Sequence, residues 1–314
     1  MSRPLAVARV AFLIGDATRA AGLLGIATAH HLASGGRGWR VGLALDCAAA
    51  VRVPWQDAAA WAAACELVHQ ASIVHDDVQD GTAVRRGRPS VAARYGAATA
   101  ICVGDQLLTQ AFGVAAGLPA PAALVRLLAA RVSEMVAGQA DEFAPDLWET
   151  MTLERYRAMA GGKAGAAVAL PIEGAALLAA QPPPEISRAG RVGGALGMAY
   201  QMGDDAVDVA ADLVRGALNG VVAHALATPS PAQRAELLAT LARGRAGSLG
   251  WHEAARLAQQ LAPYAEQLTT LARELLAEVD DALAEDALGR VLSKAVAELR
   301  SRLETATVAS LDAA

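Results

Sequence analysis

Two aspartate clusters constrain this chain more than anything else in it: Asp76-Asp77-Val78-Gln79-Asp80 and Asp204-Asp205-Ala206-Val207-Asp208. Each sits in a stretch that is otherwise nearly all apolar, and the pattern predicts one helix over 57–80 and another over 187–212. At about 100° per residue, Asp76 and Asp80 fall one turn apart on nearly the same face, and Asp204 and Asp208 stand in the same relation, with Asp77 rotated to the flank. Carboxylates gathered in an apolar setting repel each other and shift toward protonation unless a cation intervenes. A hard divalent cation resolves this, and Mg²⁺ keeps several waters while taking one or two carboxylates plus substrate phosphate. Asp76, Asp77, Asp80, Asp204, Asp205 and Asp208 are therefore the candidate metal ligands. Two such helices facing each other in a bundle would grip a diphosphate through the metal ions. A merely solvated helix face explains one such cluster as well as a metal does, but explains two of them inside apolar helices poorly.

The scaffold these helices need is compatible with the rest of the chain. Hydrophobic residues make up 54%, dominated by Ala and Leu, and aromatic residues only 4%. Ala and Leu favour helix, whereas strands draw on branched and aromatic residues, so the fold class is all-α. Helical patterns break at Ser34-Gly35-Gly36, Val53-Pro54, Gly117-Leu118-Pro119, Gln181-Pro182-Pro183-Pro184 and Thr228-Pro229-Ser230-Pro231. The triple proline reads as a rigid surface loop, and helical composition resumes beyond it, so 1–314 reads as a single domain of ten or more helices. A net charge of −5 argues against a nucleic-acid partner. Cys47, Cys65 and Cys102 are odd in number, lack metal spacing and suit a reducing compartment. There is no signal-peptide pattern and no uncharged apolar run of the roughly 20 residues a transmembrane helix needs, so the expected location is cytoplasmic.

Basic residues cluster where a phosphate-binding site would need them. Arg85 and Arg86 follow the first cluster in a turn-like stretch ending Gly87-Arg88-Pro89, and Arg37 and Arg40 sit in Gly35-Gly36-Arg37-Gly38-Trp39-Arg40. The guanidinium fork matches phosphate oxygens, although ordinary surface charge explains these arginines locally as well. Only Lys163 and Lys294 are lysines, and Lys163 lies in Gly161-Gly162-Lys163-Ala164-Gly165, mid-way along a small-residue helical stretch. It is a phosphate-ligand candidate, set against a surface lysine that keeps its ammonium in water. His69, two turns before Asp76 on the same stripe, and Gln201, three before Asp204, are weaker local candidates; a core histidine and a polar helix position explain them equally.

At these residues the sequence resembles the trans-type isoprenyl diphosphate synthases, the polyprenyl synthetase family. The stretch from Leu67 through Asp80, followed by Arg85-Arg86-Gly87-Arg88-Pro89-Ser90, is similar to the family's first aspartate-rich region, and Ala199-Tyr200-Gln201-Met202-Gly203-Asp204-Asp205 to its second. Gly138-Gln139 also fits, and the likeness runs from Gly35 to Leu226. The resemblance implies a helical bundle around a central active-site cavity, magnesium on Asp76, Asp80 and Asp204, the allylic diphosphate on Arg85 and Lys163, and isopentenyl diphosphate on Arg37, Arg40, His69 and Arg86. Gln201 would face the allylic cation, and Lys163, Gln201, Asp76 and Asp204 would be the residues closest to the chemistry. It further implies a homodimer. The implied reaction is an electrophilic alkylation: the metal-bound diphosphate leaves, isopentenyl diphosphate attacks the allylic cation, and a proton is lost.

Three positions depart from the family pattern. Arg37 stands where the family has lysine, Ala164 where it has threonine, and the segment after Asp208 is shortened and carries no lysine, with Ala217 where one is expected and only Arg215 to compensate. Product length follows from the wall above Asp76. Ala71 and Ser72 are small, Cys65 also, and the first bulky residue on that stripe is Trp61, fifteen positions earlier. That is roughly 22 Å at helical rise, or about four isoprene units, so a C20 product is expected. The departures keep two other readings open: a terpene cyclase or prenyltransferase to another acceptor on the same scaffold, and a non-catalytic subunit of a heteromeric synthase.

Overall fold

The structure, a computed structural model, describes residues 3–35, 38–227 and 230–312. The element order is α1 (Arg3–Ala17), α2 (Gly22–Leu32), α3 (Trp39–Ala50), α4 (Trp55–Gln79), β1 (Val84–Arg85), β2 (Arg88–Pro89), α5 (Val91–Tyr95), α6 (Ala97–Ala116), α7 (Pro121–Asp141), α8 (Leu153–Ala160), a π-helix (Gly161–Gly165), α9 (Ala166–Leu178), α10 (Pro183–Val207), α11 (Val209–Arg215), α12 (Gly220–Ala227), α13 (Pro231–Arg245), α14 (Trp251–Gln260), α15 (Ala262–Asp281) and α16 (Ala287–Asp312). The all-α expectation holds, with one two-residue hairpin as the only sheet among the described residues. Among these residues no single helix is long and apolar enough to cross a membrane. The chain groups into two compact units, one of Met1–Val132 with Leu170–Gly190, the other of Ser133–Ala169 with Arg191–Ala314.

In the first unit α4 is the central element, packed by α1, α3 and α6. Its Ala-rich face, with Ala58, Ala59, Ala62, Ala63 and Ala64 buried, lets neighbouring helices approach, while Trp61, Leu67 and Val74 fill the core. Asp57 in the first turn complements the helix dipole. The helix stops at Asp80, its C-cap, because Gly81 takes φ +62°, the left-handed conformation that ends helices. The chain then turns through the hairpin β1–β2, whose tip residues Arg86 and Gly87 have φ 51° and 76°, as a tight two-residue loop with right-handed strand twist requires. His30 on α2 secures it: its Nε2–H donates to Pro89 O at 2.9 Å, and its Nδ1 accepts from Arg88 Nη2 at 3.3 Å.

In the second unit α11 packs on α13 and α14, α12 on α8 and α15, and α15 on α16. Three local readings of the sequence change. The loop read at the three prolines is shorter than expected: Pro182 lies in it, but Pro183 opens α10, and proline fits a first turn, where its missing N–H would have no partner. The helix predicted through 187–212 breaks after Val207, so Asp208 lies between α10 and α11 with φ −92° and ψ 12°. The stretch around Lys163 is a π-helix rather than plain α.

Candidate active site

The first half-site belongs to the first unit. Asp76 is half-buried and Asp80 exposed at the end of α4, so the stripe read from the sequence is present. Asp77 instead turns inward at 1% exposure. Its Oδ1 accepts from Arg85 Nε at 2.8 Å and from Arg85 Nη2 at 2.5 Å. Arg85, expected on a diphosphate, is thus paired with Asp77 and ties the hairpin to α4. Its neighbour Arg86 stays exposed at the hairpin tip. Arg37 lies outside the described residues.

Arg40 and His69 meet, with Arg40 Nη1 3.1 Å from His69 Nε2. A guanidinium can only donate, so His69 accepts at Nε2 and carries its proton on Nδ1. Burial, with the charges of Arg40 and Arg86, pulls the His69 pKa down to about 3. Three polar residues missed in the sequence surround this pair. Gln70 Nε2 donates to Glu66 Oε1 at 2.5 Å, burial raises the Glu66 carboxyl, and His31 on α2 is buried and pulled down to about 4, chiefly by desolvation. The spacing of Glu66, His69 and Gln70 puts all three on one face of an apolar helix, a signal that was available in the sequence. His75 turns away from the aspartates and packs against Gly104 of α6, near Asp105.

The proposed wall lies along the same helix. Ala71 is buried, and Ser72 Oγ donates to His69 O at 2.9 Å. Trp61 is fully enclosed; its Nε1–H donates to Pro171 O at 3.2 Å, and a Cβ at Gly174 would overlap the indole.

The second half-site belongs to the second unit. Asp204 is half-buried and Asp208 exposed, while Asp205 is 3% exposed and bound by the protein itself. Its Oδ2 accepts from Tyr156 OH and Gly220 N–H, and its Oδ1 from Gln201 Nε2, all at 2.7 Å. Burial raises the Asp205 carboxyl to about 7 against these hydrogen bonds. Asn219 Nδ2 bridges Asp205 O and Asp212 Oδ2 at 2.8 Å each, fastening the segment after Asp208. Arg215, the cation of that segment, pairs with Asp212 on its own helix.

Lys163 projects from the π-helix, 3.3 Å from Glu142 Oε1. The wider turn lies close against α10, where a Cβ at Gly197 would overlap Ala164 O. Gln139 on α7 is buried, and neither of its amide atoms has a hydrogen-bond partner among the described residues. A cation unforeseen in the sequence stands at Asp204. Arg302 Nη2, from α16, lies 2.6 Å from Asp204 Oδ1, with its Cζ 4.5 Å from the centre of the Tyr200 ring.

Among the described residues no three His, Cys, Asp or Glu side chains converge to cage an ion unaided. The donor sets present, Asp76 with Asp80 and Asp204 with Asp208, instead match an ion that takes one or two carboxylates and completes its shell with phosphate and water.

Comparison with known proteins agrees with this chemistry. Residues 23–249 match the family pattern described as "Polyprenyl synthetase", a span with residues in both units. A short chain isoprenyl diphosphate synthase of Methanothermobacter thermautotrophicus is 32% identical over 232 residues, 69% of this chain and 71% of that one. A nonaprenyl diphosphate synthase of Mycobacterium tuberculosis is 33% identical over 159 residues, 50% of this chain and 47% of that one, so the match spans about half its length. Among solved structures, a polyprenyl synthase of Caulobacter crescentus, complexed with calcium and isoprenyl diphosphate, superposes with a TM-score of 0.84. It shows 21% identity over 95% of each chain, a likeness of fold.

Proposed function

This chain belongs to the polyprenyl synthetase family and is a prenyltransferase of the isoprenyl diphosphate synthase kind, and we propose that it joins an allylic diphosphate head-to-tail to isopentenyl diphosphate, with Mg²⁺, to give a C20 product. One observation carries the proposal: each cluster offers two outward aspartates, and the aspartate beside them is locked inward by the protein. In this reading Asp76 with Asp80, and Asp204 with Asp208, would each hold metal, which supplies Lewis-acid stabilisation of the departing diphosphate. Asp77 and Asp205 are then positioning residues rather than ligands.

The chain's own residues divide the remaining work. Arg40, Arg86 and neutral His69 bind isopentenyl diphosphate in the first unit, with Arg37 added from the sequence pattern. Glu66, held by Gln70, balances the surrounding guanidinium charge. Lys163, steadied by Glu142, meets the allylic diphosphate. Asp205 draws the Gln201 amide N–H toward itself, which leaves the amide oxygen as the atom able to face a developing allylic cation. Arg85 acts through Asp77 by fixing the hairpin. Trp61 closes the product channel roughly 22 Å from Asp76 along α4. A homodimer is part of the same proposal and is checked by light scattering.

Incubation with Mg²⁺ and C5, C10, C15 or C20 allylic diphosphates, with and without isopentenyl diphosphate, tests the proposal. Elongation that stops at C20 and requires isopentenyl diphosphate is the expected result. A second reading, cyclisation or transfer to another acceptor, draws on one observation: Arg215 is paired with Asp212, and the shortened segment from Val209 to Gly220 holds no lysine. Hydrocarbon or alcohol formed from an allylic diphosphate alone would replace the first reading with this one. Turnover only with a second protein would point to a heteromeric subunit.

A further inference from the structure

Arg302 is held on Asp204 by three contacts that act together. Its Nη2 makes a charge-assisted bond of 2.6 Å to Asp204 Oδ1. Its guanidinium lies over the Tyr200 ring, 4.5 Å from the centroid, and Tyr200 precedes Asp204 by one helical turn, so ring and carboxylate form two sides of one seat. The helix that delivers it is docked at the adjoining position. Leu303 is buried, and a Cβ at Gly203 would fall 2.6 Å from Leu303 Cδ2, so the glycine leaves room for the Leu303 side chain against α10. The exposed carboxylate of Asp208 adds to the field on Arg302. The pair is not sealed, since the Arg302 and Asp204 side chains are 40% and 32% exposed.

We propose that Arg302 is the displaceable counter-cation of the second aspartate cluster, neutralising Asp204 when no divalent ion is there and competing with that ion for the same carboxylate oxygen. The proposal rests on the metal reading above. A metal ion that takes Asp204 through Oδ1 competes with Arg302 for that oxygen, and one that takes Oδ2 still meets the guanidinium charge beside it. The released guanidinium stays within reach of the cluster as a positioning charge, in a chain whose segment after Asp208 carries no lysine.

Mn²⁺ binding to the substrate-free protein, followed by electron paramagnetic resonance and calorimetry, tests this without turnover. The Asp76→Asn/Asp80→Asn background isolates the second cluster. Arg302→Gln should tighten Mn²⁺ binding by roughly twofold to fivefold, the range a half-exposed charge pair supports. Arg302→Lys should return it toward the parent value. Arg300→Gln removes an equal charge two residues away, one that pairs with Asp280, and should leave the affinity unchanged. If Arg302→Gln and Arg300→Gln tighten binding equally, the effect is bulk charge and the proposal is wrong. Unchanged or weaker binding in Arg302→Gln also overturns it, while leaving the metal reading intact. If no Mn²⁺ binds even with inorganic pyrophosphate present, both fall.

Discussion

The two half-sites solve one problem with partners drawn from different distances along the chain. Around Asp76 the supporting groups are mostly local: Arg85 is eight residues from Asp77, and Glu66, His69 and Gln70 lie on the same helix. Around Asp204 one is local, Gln201 four residues from Asp205, and others are remote: Tyr156 is 49 residues from Asp205, and Arg302 is 98 residues from Asp204. In both, an inward aspartate is fixed by protein donors while its neighbours are half-buried or exposed. The shared feature is a rigid backing behind two presented carboxylates. The difference is that the first backing is built by helix periodicity and a hairpin, the second by tertiary packing.

The largest expected effect treats the half-sites alike. Asp76→Ala with Asp80→Ala should lower turnover by about three orders of magnitude, since metal-borne stabilisation is worth several kcal/mol. Asp204→Ala should do the same. Neither change should lower the melting temperature much, because these side chains reach solvent. Steady-state assays paired with calorimetry check both halves, and an Asp204→Ala enzyme with normal turnover would make the second cluster structural and break the symmetry.

Trp61→Ala sharpens the first half-site alone. Removing a fully enclosed indole should cost about 3–5 kcal/mol of stability, and the product should lengthen beyond C20. Gly174→Ala presses on the same indole from α9 and should alter the length distribution without removing the ring. Chromatography of dephosphorylated products reads both; an unchanged length in Trp61→Ala removes Trp61 as the floor.

A smaller pair of effects contrasts the two backings. Asp205→Ala strands the Tyr156 hydroxyl, the Gly220 N–H and the Gln201 amide inside the protein, at a cost of about 2–5 kcal/mol. Asp77→Ala strands only Arg85, whose side chain is 35% exposed and can turn to water, so the loss should be about 1–2 kcal/mol. Chemical denaturation measures the difference, and a larger loss for Asp77→Ala would reverse the assignment of local and remote support.

The same contrast explains what the sequence disclosed. The Asp76 stripe and the all-α class were legible because they depend on residue type and helical spacing, whereas Arg40 and His69 were brought together only by the family resemblance. Asn219, Glu142 and Arg302 were not, because nothing near them in the chain announces a partner many residues away. The break at Asp208 and the π-turn at Lys163 were hidden for another reason: no glycine or proline marks the first, and the glycines around Lys163 are compatible with α, π or an interruption. The triple proline misled because proline marks both loops and first turns. The family resemblance places Arg85 on the allylic diphosphate; its pairing with Asp77, eight residues away across the hairpin, was not read from the sequence.

The last effect is a pH dependence carried by the first half-site. His69 and His31 are held near 3 and 4 by burial, against about 6.5 when unfolded. Between those values the unfolded chain binds protons that the folded chain does not. The stability from keeping these rings neutral is therefore fully present above about pH 6.5 and is lost as pH falls through 6 and 5, by up to about 1.4 kcal/mol per pH unit for each ring. In His69→Gln, urea midpoints measured between pH 7.5 and 5 should decline less steeply than in the parent, and His31→Gln should remove a similar share. Inorganic pyrophosphate should also flatten the decline, because an anion beside Arg40 and Arg86 offsets the guanidinium charges that help hold His69 low. Equal slopes in parent and variants would mean that the two rings open to water in the folded protein and that the Arg40–His69 contact does not persist in solution.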